Sequence, residues 1–98
     1  MMRKIEIARI NILRKNIGGK WKLMIIFILP SGPARFNKIK QLSDGASPNM
    51  LAQALRELEL NGIVRKTDGG NPGYELTKAG YKISELLIEI SKIMDHLP

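Results

Sequence analysis

With 98 residues and no cysteine, the chain can build one hydrophobic core but no disulfide, thiolate metal site or thiol switch. Its hydrophobic share of 44% and charged share of 26% are those of a folded protein, not of a disordered one. The net charge of +7 is uneven: up to Lys66 there are 13 basic and 4 acidic residues, beyond it 3 and 5, which suggests a polyanion-binding body joined to a segment with another job.

Residues Ile5 to Lys15 have the spacing of a first helix, with Ile5, Ala8 and Ile12 on one apolar stripe and Ile10, Leu13 and Ile17 on a neighbouring one. Glu6 and Arg9 interrupt any signal-peptide core after the basic start Met1-Met2-Arg3-Lys4, so the expectation is a cytoplasmic protein. The paired glycines Gly18 and Gly19 break the helix. A second helix is expected from about Lys20 to Leu29, apolar nearly all round and therefore central. Its apolar run from Leu23 to Leu29 is too short to span a bilayer, so no membrane partner is expected.

Pro30, Gly32 and Pro33 end that helix. Ala34-Arg35-Phe36 reads as a short strand, and Asn37 as the cap of a short helix that turns Ile39 and Leu42 inward. After a turn at Asp44-Gly45-Ala46, Ser47 caps a helix that starts at Pro48 and stops at Asn61-Gly62. Leu51, Leu55 and Leu58 form its inward stripe. Ile63 to Thr67 and Tyr74 to Leu76 read as two strands around a hairpin tip from Asp68 to Gly73, and Thr77 caps a long last helix.

The fold class is therefore mainly α with a small β-hairpin, in winged helix-turn-helix order. One domain is expected over 1–98: terminal dimerisation helices at 1–16 and 77–98, and a DNA-binding body at 17–76 with its wing at 63–76.

The helix after Ser47 is the candidate reader. A reading helix brings its amino-terminal residues to base edges in the major groove, where Asn and Gln pair with adenine and Arg with guanine. Asn49, Met50 and Gln53 are the candidate base contacts, with Asn49 and Gln53 four apart on one face. Candidate phosphate contacts are Arg35, Lys38, Lys40, Ser47, Arg56, Arg65 and Lys66. Each taken alone is an ordinary surface residue; their placement on either side of the reader singles them out. Asp68 and the lack of a cation at the wing tip argue against a large minor-groove contribution.

Trp21 reads as a core residue rather than a stacking platform. His96 has no neighbouring ligand types, so no metal and no cofactor is expected. No nucleophile–base set, carboxylate pair or phosphate loop can be assembled, and an enzyme is not expected. The last helix has more apolar surface than its own core needs, as does the first. A homodimer would cover the excess, through Ile5, Ala8, Ile12, Ile83, Leu86, Leu87, Ile90, Ile93, Met94 and Leu97.

Several segments occur in an order that resembles one family: Ile17-Gly18-Gly19-Lys20-Trp21, Gly32-Pro33-Ala34-Arg35-Phe36-Asn37, Ser47-Pro48-Asn49-Met50-Leu51, Leu55-Arg56-Glu57-Leu58-Glu59, Asn61-Gly62-Ile63-Val64 and Tyr74-Glu75-Leu76-Thr77-Lys78-Ala79-Gly80. Together they are similar to HxlR-type winged helix-turn-helix regulators over roughly Ile17 to Gly80. The resemblance implies a homodimeric bacterial or archaeal transcription factor with dimer contacts from the first and last helices. Three positions depart from it. The place of the family's sensing cysteine, near Ala8, holds none; the wing is short and lacks its basic residue; and Ala54 stands where arginine is common.

The expectation is thus a sequence-specific regulator of double-stranded DNA acting as a homodimer, its effector unknown. A protein-interaction module and a nonspecific architectural DNA-binding protein are the alternatives.

Overall fold

A helix that is apolar over most of its surface has to be largely covered, and that requirement organises the molecule, although Phe27 stays 43% exposed. A computed structural model describes residues 3–69 and 72–98. In it Lys20–Ile28 forms the central helix α2, extended by a 3-10 turn over Leu29–Ser31. Ile25, Ile26 and Leu29 are fully buried. Around them lie α1 (Lys4–Ile17), α3 (Phe36–Leu42), α4 (Pro48–Leu60), the antiparallel strands β1 (Val64–Lys66) and β2 (Tyr74–Leu76), and α5 (Lys78–Met94).

The helix α4 is the clearest case of a pattern dictating a position. Leu51, Leu55 and Leu58 recur at helical spacing and are all buried, with Ala54 beside them. Full burial of one such leucine stabilises by about 1.5–3 kcal/mol. Ser47 caps the start, its Oγ accepting from the Met50 N–H at 3.2 Å. At the other end Gly62 takes φ +76°, a left-handed conformation that glycine adopts without a Cβ penalty. The Ile63 N–H then reaches the Leu58 carbonyl at 2.9 Å and the Gly62 N–H reaches that of Glu59 at 3.1 Å. This double closure turns the chain into β1 and drops Ile63 into the core against Leu58.

The hairpin pairs Val64 with Leu76, Arg65 with Glu75 and Lys66 with Tyr74. Thr67 closes it below the tip: its N–H donates to the Gly73 carbonyl at 2.9 Å, and its Oγ1 accepts from the Gly73 N–H at 2.8 Å. Gly70 and Asn71 of the expected tip lie outside the described residues, as do Met1 and Met2. Thr77 joins wing to helix. Its Oγ1 accepts from Gly80 N–H at the start of α5 and donates to the Gly62 carbonyl at 2.6 Å.

Three local expectations are corrected. The strand over Ala34-Arg35-Phe36 shrinks to a single bridge, in which Ala34 exchanges two hydrogen bonds with Tyr74 at 2.8 and 2.9 Å. With Ala34 held there, Phe36 turns into the body to pack on the core, so the helix opens at Phe36. Arg35, not Asn37, is consequently the residue before its first turn. Leu42 is not inward: it is 52% exposed. The position four residues after the buried Ile39 is Ser43, which takes the inward place and donates its hydroxyl to the Ile39 carbonyl at 2.7 Å. That bond removes the cost of burying the hydroxyl.

The terminal helices behave differently from this body. Over its 14 residues α1 has none that is buried. It starts with Glu6 accepting from the Arg3 backbone N–H at 3.3 Å and ends with Ile17 packed against the core. Along α5, Ile83 and Leu87 pack on the chain's own core, whereas Leu86, Ile90, Ile93 and Met94 are exposed. Among the described residues no helix is long and apolar enough to cross a membrane.

Candidate nucleic-acid interface

The three inward leucines fix the rotation of α4 and so decide which residues it shows. Asn49, Met50, Gln53 and Arg56 are exposed, and Ala52 is half-buried. Asn49, Met50 and Gln53 lie in the amino-terminal half of the helix, the part that meets bases in a helix-turn-helix complex. Met50 is 51% exposed.

Met50 and Gln53 line a cleft of about 210 Å³ together with Gly18, Gly19, Lys20 and Trp21. Trp21 is only partly buried there, packed on the core by one side, with the Lys20 ammonium 4.8 Å from its ring centroid. The sequence marks Trp21 as core. That it also lines this cleft beside α4 is decided by how α2 and α4 pack.

The basic candidates divide into two groups. Arg35, Lys38 and Lys40 line one cleft on α3 with Asn37 and Gln41. The three basic residues and two amides border one shallow opening, and no carboxylate lines it. Such a cluster attracts an anion more strongly than its members do separately. Arg65, by contrast, is drawn across the hairpin to Glu75, with Nη2 and Oε2 at 3.0 Å. Its charge is partly neutralised within the wing, although its side chain is 61% exposed. Neighbouring Lys66 and, on α4, Arg56 are exposed. Ser47 commits an oxygen lone pair to its helix, which leaves its hydroxyl proton as the group that can donate to a phosphate oxygen.

One functional feature is absent from the sequence reading. Lys22 lies in the helix read as apolar all round, yet its ammonium makes two polar contacts, with the Lys15 carbonyl at 2.8 Å and Glu57 Oε2 at 3.3 Å. A charged residue within an otherwise apolar run was the available signal. Among the described residues no group of three His, Asp or Glu side chains is placed to hold a metal ion.

Apolar residues of the terminal helices, some exposed and some half-buried, are likewise collected. Ile12, Leu13 and Ile17 of α1 face Ile83, Leu87 and Ile90 of α5 across a groove of about 420 Å³.

Comparison with known proteins agrees with this geometry. Residues 16–97 match the model of the HxlR-like helix-turn-helix family. The HTH-type transcriptional regulator YkvN of Bacillus subtilis is 35% identical over 84 residues, covering 82% of this chain and 71% of YkvN. YtcD of the same organism is 35% identical over 81 residues, which make up 83% of this chain and 62% of that relative. Among solved structures, a transcriptional regulator of the MarR family from Enterococcus faecalis superposes with a TM-score of 0.81 at 27% identity, covering 97% of this chain and 90% of that one. The reduced form of the B. subtilis regulator YodB gives 0.77 at 30% identity, covering 99% and 95%. A two-stranded hairpin behind a helix-turn-helix, an α4 rotated by its leucines and a family match across most of the sequence converge on one assignment: the chain belongs to the HxlR-like helix-turn-helix family.

Proposed function

We propose that this protein is a sequence-specific, double-stranded-DNA-binding transcriptional regulator that works in the cytoplasm as a homodimer. Asn49, Met50 and Gln53 meet base edges; Arg35, Lys38, Lys40, Ser47, Arg56 and Lys66 contact phosphates, with Arg65 a lesser contributor. The observation that carries this reading is the rotation of α4, whose buried leucines leave amide side chains exposed along its amino-terminal half. The cation-lined cleft on the preceding helix supplies the matching charge.

Dimerisation is supported by what a single chain leaves uncovered. Ile5, Ile12, Leu86, Ile90, Ile93, Met94 and Leu97 are each large, apolar and exposed. Apolar surface of that extent on two adjacent helices and the turn that follows the second marks an association face. A two-fold pair would offer two reading helices to half-sites about one DNA turn apart.

YodB has been solved reduced, diamide-treated and quinone-bound, and the similar HypR is described as a redox regulator. This chain has no cysteine, so whatever effector acts on it does not act through a thiol.

The test is selection from random duplexes at moderate salt, followed by titration of the winning sequence. An enriched inverted repeat is expected, with affinity falling steeply as salt rises. Binding without enrichment would replace this reading by architectural DNA binding, and no binding would replace it by a protein-interaction module.

A further inference from the structure

The 14-residue helix α1 has no buried residue, so burial does not determine the direction in which it leaves the body. Three things at its carboxyl end do. Ile17 anchors it on the core. The Gly18–Gly19 corner demands glycine, since a Cβ on Gly18 would drive into the Arg14 carbonyl and Gly19 adopts φ +96°, and two glycines in a row leave the turn dependent on its side-chain ties. The third is Lys22. Its side chain is only 12% exposed, and its ammonium donates to the Lys15 carbonyl at 2.8 Å while facing Glu57 Oε2 at 3.3 Å.

The chemistry of that junction is specific. Lys15 is in the last turn of α1, where carbonyls have no partner within the helix and carry the negative end of its dipole. A cation there both satisfies an orphan acceptor and complements the dipole. Glu57 belongs to the reading helix α4. One ammonium therefore links the end of the arm to the side of the reader, from a position on the helix between them. An aliphatic side chain at position 22 would connect neither.

We infer that Lys22 is a positioning residue that fixes the angle between α1 and the reading helix, and thereby the half-site separation that the dimer accepts. This rests on the proposed dimeric regulator. If α1 is part of the dimer contact, its angle to α4 sets how far apart the two reading helices stand, and small rotations at the corner become large displacements at the far end of the arm. Specificity for spacing is then separate from specificity for bases: the former depends on Lys22 and Glu57, the latter on Asn49, Met50 and Gln53.

The absence of cysteine makes a direct test convenient. Nitroxide labels on Lys4→Cys and Leu60→Cys, in doubly labelled chains diluted with unlabelled ones, report the intrachain distance from arm to reader. Lys22→Met should broaden that distribution, and Lys22→Arg, which restores a cation, should narrow it again. On DNA, the wild type should prefer its best half-site separation over one shifted by a base pair by about tenfold. Lys22→Met should reduce that preference to about threefold or less, while its base preference within a half-site changes by less than about twofold.

If Lys22→Met does not fold, Glu57→Gln carries the same measurements, since it alters only the half-exposed partner. A label distribution in Lys22→Met or Glu57→Gln as narrow as that of the wild type overturns the inference whatever the DNA result. Because the label distance is read without DNA, it stands or falls separately from sequence-specific binding, which is judged on the wild type alone.

Discussion

The helices α4 and α1 are of similar length and both carry regularly spaced aliphatic residues, yet they meet opposite fates. In α4 the leucines lie in the core and the polar face looks out; in α1 the isoleucines are exposed and nothing is buried. The Cα radius of gyration, 14.5 Å, exceeds the roughly 13 Å of a compact domain of this size, as expected when terminal segments extend beyond a compact body. Aliphatic residues alone do not place a helix in a core: those of α4 share one face, whereas those of α1 are spread round its circumference. A core has to have room, and here α2, α4 and the hairpin fill the one this chain can build. The apolar surface of α1 and of outer α5 remains for another surface to cover.

The sharpest way to break that contrast is to make comparable cuts in both helices. Leu55→Ala should lower the unfolding free energy by about 2–5 kcal/mol, read by urea denaturation. Ile12→Asp with Ile90→Asp should instead leave the chain folded and weaken self-association by about a hundredfold or more in sedimentation. If the aspartates unfold the chain as thoroughly as the leucine cut does, the terminal helices belong to the body and the contrast is wrong.

The DNA-facing side sharpens it further. Gln53→Ala should cost about 1–3 kcal/mol on the preferred sequence and little on random DNA. Lys40→Ala should weaken both about equally and make the log–log salt dependence shallower by about 0.9 per lost phosphate contact. Equal losses for both variants on both DNAs would remove the distinction between reader and clamp. Ser47→Ala should lower stability by about 1 kcal/mol through its lost cap, seen as a lower melting temperature. The smallest effect is expected from Arg65→Ala, about twofold in DNA affinity, because Glu75 already holds part of that charge. A loss as large as that of Lys40→Ala would show the ion pair opening on DNA.

Local chemistry announced much of the architecture. Ser47-Pro48 and Asn61-Gly62 delimit α4, Thr77 starts α5, and the apolar run from Leu23 to Leu29 marks the central helix, though only Ile25, Ile26 and Leu29 of it are buried and Phe27 is exposed. Errors fell where a tertiary contact outranked a local preference. Asn37 is a good capping residue, but the bridge between Ala34 and Tyr74 and the packing of Phe36 started the helix earlier. Leu42 lost its inward place to Ser43 because the buried Ile39 set the phase of a helix only seven residues long.

The sequence by itself determined the order of elements, the inward stripe of α4 and hence the side chains it exposes, because helical periodicity and capping act over a few residues. Only the tertiary structure decided that Arg65 is tied to Glu75, that Arg35, Lys38 and Lys40 share one opening, that Trp21 lines a cleft with Met50 and Gln53 of α4, and that Lys22 joins two other helices. Those relations link residues far apart in sequence or on separate elements. Their distances depend on how helices pack, which no local pattern encodes.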